Sequence, residues 1–139
     1  DEVVPPLSEI LTESSGAPQR RNAAWLLGRV VGDGYESTAR EALLSALGDD
    51  DGMTAQFAAT SLTTLDAPGL EGDLLELVRD GDADREARSK ALFVLGKVGG
   101  DDARAALGEF VDRTDDDGLR EAAFSALSKL GGIGGGGGP

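Results

Sequence analysis

Apolar positions along the chain fall into short stripes, and the stripes repeat. Leu27-Gly28-Arg29-Val30, Leu62-Thr63-Thr64-Leu65, Leu95-Gly96-Lys97-Val98 and Leu127-Ser128-Lys129-Leu130 follow one another at spacings of 35, 33 and 32 residues. An alanine stands four positions before each leading leucine, at Ala23, Ala58, Ala91 and Ala123. Seven positions before it stand Arg20, Arg88 and Arg120, with Ala55 in the second copy. Four such coincidences in one register define an internal repeat.

Each unit reads as two helices. The first carries apolar residues on one face at 3.6-residue periodicity, as in Ala91, Leu92, Leu95 and Val98. The second has its own stripe: Leu43, Ala46 and Leu47; Leu74, Leu77 and Val78; Leu107, Phe110 and Val111. Leu7, Ile10 and Leu11 match the last of these at an offset of 100, which also carries Arg20 onto Arg120 and Leu27 onto Leu127. The chain thus opens on a second helix and runs out on a first one. Eight helices are predicted, near 4–12, 17–31, 36–47, 53–65, 69–79, 84–98, 102–113 and 118–130. They make one repeat domain over 1–132, with half repeats at 4–12 and 118–130 and repeats at 17–47, 53–79 and 84–113. The fold class is all-α, an α-α superhelix in which neighbouring units supply one another's core.

The punctuation agrees. Asp33-Gly34, Asp51-Gly52, Asp80-Gly81 and Asp117-Gly118 are turn dipeptides between the predicted helices. Asp49–Asp51, Asp82 with Asp84, Asp101 with Asp102, and Asp115–Asp117 precede helix starts, where carboxylates accept from free N–H groups. Pro5, Pro6 and Pro68 suit first helical turns. The tail at 133–139, nearly all glycine, is expected to be flexible.

Composition narrows the chemistry. The 139 residues contain no Cys and no His, which removes disulfides, thiolate nucleophiles, the usual zinc sites and His-dependent triads. Twenty-six acidic residues face 13 basic ones, a net charge of −13, and a phosphate backbone or an anionic membrane would be repelled. No apolar run is long enough to span a membrane. Only three of the basic residues are Lys (Lys90, Lys97 and Lys129), and scarce Lys with abundant Asp resembles the cytosolic proteins of extreme halophiles. A cytoplasmic location is expected.

Units of about 32 residues, with Asp-rich turns, an Arg and then Ala-x-x-x-Leu-Gly, resemble HEAT-like repeats of the phycobilisome-lyase type. Asp80-Gly-Asp-Ala-Asp84-Arg-Glu-Ala-Arg88-Ser-Lys-Ala91-Leu-Phe-Val-Leu95-Gly96 is the clearest copy. The resemblance covers residues 4–132 and implies a right-handed α-solenoid. It also implies a structural ladder of turn Asp to helix Arg: Asp82 with Arg88, and Asp115 or Asp116 with Arg120. Arg20 has Ser14, Ser15 and Gly16 where the acidic partner would stand, and Ala55 lacks the Arg.

No catalytic, metal or cofactor residues are expected. Asp80-x-Asp82-x-Asp84 begins like a calcium loop, but Arg85 and Ala91 stand where an EF-hand needs Gly and Glu, so helix capping explains it. Gly32-Asp33-Gly34 lacks the Lys-Ser or Lys-Thr of a phosphate loop. Two features bear on a partner. Trp25 and Phe93 share one position, either as exposed anchors or, the better reading, as fillers of a groove between helices. Glu9, Glu76 and Glu109, with Ser45, share a position opposite the buried stripe of the second helices. They form either an acidic strip for a basic partner or a solvated face.

These features point to a non-catalytic scaffold or adaptor that presents a helical surface to another protein, as a monomer or with weak end-to-end self-association. The resemblance also admits a subunit of a bilin lyase-like enzyme, or a piece of a larger HEAT-repeat signalling or assembly protein. Iron-dependent hydroxylation needs His and is excluded; the net charge opposes a DNA glycosylase.

Overall fold

A computed structural model describes residues 4–30, 36–65 and 69–130. Eight helices lie in this part: α1 Val4–Glu13, α2 Ala17–Val30, α3 Glu36–Ala46, α4 Gly52–Thr64, α5 Leu70–Arg79, α6 Arg85–Val98, α7 Asp101–Arg113 and α8 Asp117–Lys129. There is no strand among the described residues. The expected turn at Asp33-Gly34, the helix start at Pro68 and the glycine-rich tail lie outside them.

The helices form two layers. In one, α2 packs on α4, α4 on α6 and α6 on α8; in the other, α1 packs on α3 and α5 on α7. The repeating leucines lie between the layers: Leu27, Leu62 and Leu95 are fully buried and Leu127 nearly so. The stripe of the second helices joins them through Leu43, Leu47, Leu74, Val78 and Leu107.

Small residues set the spacing within the first layer. Ala23, Ala24, Ala58, Ala59, Ala91 and Ala123 are all buried, so these helices meet almost backbone to backbone. Gly28 is at the tightest point, where an added Cβ would come within 2.9 Å of the Ser61 Cα. Gly96, which follows its repeat's leucine just as Gly28 does, would place a Cβ 3.1 Å from the Ala126 Cα. The Leu-Gly of the repeat is therefore a contact point between successive first helices. The buried Ser61 hydroxyl donates to the Ala24 carbonyl at 2.6 Å, a polar tie across the same seam.

One position shows what stacking does. Ala24, Ala59 and Leu92, each three before its repeat's leucine, are fully buried against the next first helix. In α8 that position holds Phe124, 43% exposed, with no described helix packed beyond it.

Helix starts follow the acidic turns, with one departure. Asp51, Asp84 and Asp116 are N-caps, accepting from the amides of Thr54, Ala87 and Leu119. At α7 the N-cap is Gly100, and Asp101 and Asp102 lie inside the first turn. The capping carboxylate there comes from another helix: Glu71 of α5 accepts from the amides of Gly100 and Ala103, the latter at 2.8 Å.

Candidate functional site

The arginines divide by task. Arg20, Arg88 and Arg120 occupy one repeat position, one turn into a first helix, and reach back to the end of the preceding second helix. Arg88 donates from Nε and Nη2 to the Val78 carbonyl at 3.0 and 2.8 Å. Arg120 donates to the carbonyls of Val111 and Thr114, and Arg20 to that of Ser14. These carbonyls lack intrahelical partners and carry the negative end of the helix dipole, so a guanidinium suits them.

The ladder expected from Asp82 to Arg88, and from Asp115 or Asp116 to Arg120, does not form. Asp82 hydrogen-bonds through its amide to Asp80, and Arg120 pairs with Asp117 within its own helix. Inter-unit ties run instead from other arginines to the capping aspartates one unit on. Arg21 grips Asp51 and Arg85 grips Asp116, each through Nε and Nη2 at 2.7–3.0 Å. Arg20, which has no acid in its own turn, makes the same fork with Asp49. The reason is geometric: an N-cap carboxylate already faces the next unit's first turn, leaving its outer lone pairs toward the preceding helix. The Arg21 guanidinium, with the Thr54 hydroxyl and amide, holds the Asp51 carboxyl well below the usual carboxylate range. Arg85 does the same to Asp116, helped by the Leu119 amide.

The exposed surface of the second helices is a row of grooves. Between α1 and α3 lies one of about 590 Å³ with Glu9, Glu13 and Glu41 on its walls. Between α3 and α5 lies one of about 540 Å³ with Asp73, Glu76 and Asp80. The third, between α5 and α7, holds about 390 Å³ and reverses the sign: Arg79, Arg88 and Arg113 surround Phe110, with Glu109 and Thr114 beside them.

Glu9, Glu76 and Glu109 therefore do not make one acidic strip. Each sits in a separate groove, and Glu109 is among arginines. The repeat register placed all three on one side of the stack but carried no information about their neighbours across the groove.

Trp25 and Phe93 part company as well. Phe93 is half-buried and lines the seam between α6 and α8. Trp25 does not fill a groove: it is 45% exposed, with the Arg29 guanidinium 4.1 Å from its ring centroid.

Among the described residues no group of three acidic side chains converges as a cation site, and no helix is long and apolar enough to cross a membrane.

Comparison with known proteins bears on the stacked hairpins. Residues 70–134 match the family of HEAT repeats. The fold is an all-α HEAT-like solenoid. The chain is 47% identical over 131 residues, 94% of its length, to a HEAT repeat-containing taxis protein of Halobacterium salinarum. It spans about a third (32%) of that relative. The solenoid reading accounts for the arginines, which cap and clamp units, and for the grooves, which arise wherever successive second helices diverge above their buried leucines.

Proposed function

We propose that this chain is a non-catalytic docking platform that works in the cytoplasm, within a taxis apparatus or a comparable signalling assembly. The row of grooves on the second helices is the observation that carries the reading. It offers a long polar surface, acidic in two grooves and basic in the third, which suits a protein partner better than a small substrate. The similarity to a taxis protein supports the pathway, and the excess of Asp over Lys supports a halophilic setting. The Asp…Arg…Ala-x-x-x-Leu-Gly pattern supports the phycobilisome-lyase repeat subtype. Absence of any His or Cys leaves lyase chemistry without a recognisable donor set.

Photo-crosslinking residues at Glu9 and Glu76 should trap the same partner from a lysate kept at native salt. The same group at Gln19 or Asn22 of α2 should not. Trapping from α2 alone would overturn the choice of face. Weak end-to-end association belongs to the same reading, because Ile10 and Phe124 stay 39% and 43% exposed at opposite ends of the stack. A sedimentation coefficient that does not change up to high concentration would remove it.

A further inference from the structure

The groove between α5 and α7 stands apart from the rest of the molecule by the state of its arginines. Of the ten in the chain, Arg20, Arg21, Arg40, Arg85, Arg104 and Arg120 each pair with a carboxylate. Arg29 stacks on Trp25. The remaining three, Arg79, Arg88 and Arg113, have no carboxylate partner among the described residues, and all three line this one groove. Arg88 is engaged by the Val78 carbonyl, which leaves the exposed Arg79 and Arg113 as the arginines of this groove open to an outside carboxylate, in a chain with twice as many acids as bases.

We propose that this groove binds an acidic segment of a partner protein, with an apolar side chain beside its carboxylates. The inference rests on the second-helix platform described above and names the chemistry of one part of it. Arg79 and Arg113 end their helices and are exposed, so their planar donors can turn toward a carboxylate. Arg88 is held in place by Val78, and its guanidinium lies 5.8 Å from the centre of the half-buried Phe110 ring. Phe110 gives the groove an apolar floor next to its cations, the combination that retains a Leu or Phe adjacent to Glu or Asp. Glu109 lines the groove too and offsets part of the positive charge, which favours a short acidic segment over a polyanion. The neighbouring groove carries Asp73, Glu76 and Asp80, and an extended phosphate backbone would run into it.

The test uses the whole chain and a fluorescent peptide carrying Glu-Leu-Glu-Glu. Comparison ligands are the same peptide with Gln for Glu, and a single-stranded oligonucleotide. The acidic peptide should bind, shift the Nε–H resonances of Arg79 and Arg113, and weaken as salt rises. Arg79→Ala and Arg113→Ala should each weaken it by roughly two- to fivefold, as for rim charge pairs. Glu109→Gln should tighten it. Helicity of each variant, read by circular dichroism, confirms that the fold survives. The proposal is overturned if the acidic peptide does not bind at millimolar concentration. It is equally overturned if the Gln peptide binds as well, if the arginine variants bind unchanged, or if the oligonucleotide binds this groove more tightly. Crosslinks at Glu9 and Glu76 report on the platform independently: partner recovered there with no effect of Arg79→Ala or Arg113→Ala sinks the pocket and leaves the platform standing.

Discussion

Arg88 shows why a recurring residue can be read correctly in position and wrongly in role. Its spacing from the leucine marks the repeat, yet its task is to satisfy the end of α5. Replacing it with Ala should cost about 1–2 kcal/mol in chemical denaturation, since the charged hydrogen bonds to Val78 are partly exposed. Arg88→Lys should recover only part of this, because one ammonium cannot copy the two-donor fork. Asp116 makes a pH prediction. Its folded pKa is depressed by Arg85, so its contribution to stability is full above the unfolded value of about 3.9 and is lost as pH falls below it. Asp116→Asn, which can still cap α8, should flatten the acid limb of a stability–pH curve while leaving its neutral plateau lower. An unchanged acid limb would mean that the Arg85 fork does not hold in solution.

At the level of the element, glycine separates packing from propensity. Gly28 sits where any side chain meets the Ser61 backbone, so Gly28→Val should destabilise by about 1–3 kcal/mol, the usual cost of overpacking a tight seam. Gly108, also inside a helix, has open space where a Cβ would go. Gly108→Ala should therefore stabilise by about 0.5–1 kcal/mol through helix propensity alone. Thermal melts of the two variants should move in opposite directions. The two glycines look alike in sequence, and neither helix period nor composition separates them. The eight helices themselves were legible, each within about two residues of its position, because stripe and turn signals coincide at every unit.

The whole molecule is governed by its charge of −13 and by one-dimensional stacking. Self-repulsion acts across the stack while the ion pairs are few and local, so added KCl should raise the melting temperature by screening more repulsion than attraction. A melting temperature that falls as KCl rises into the molar range would contradict this. Because units contact only their neighbours, the effect of Gly28→Val should be concentrated in α2 and α4. Hydrogen exchange should show those amides opening first and those of α7 and α8 unchanged.

Periodicity alone determined the repeat, the layer of buried leucines and the all-α class, since burial of a helical stripe leaves its mark every third or fourth residue whatever surrounds it. The net charge of −13 set the far field, which opposes extended polyanions, because at long range only the sum of the charges counts; it carried nothing about local patches. Partnership was decided in three dimensions: which Asp each Arg grips, that Glu71 caps a helix 29 residues away, that Trp25 stays exposed, and that three arginines with no carboxylate partner among the described residues share a groove with Glu109. Those outcomes depend on the offset between units and the tilt of one helix on the next. A long side chain reaches several ångströms in any direction its backbone aims it, and the aim is set only when the units have packed.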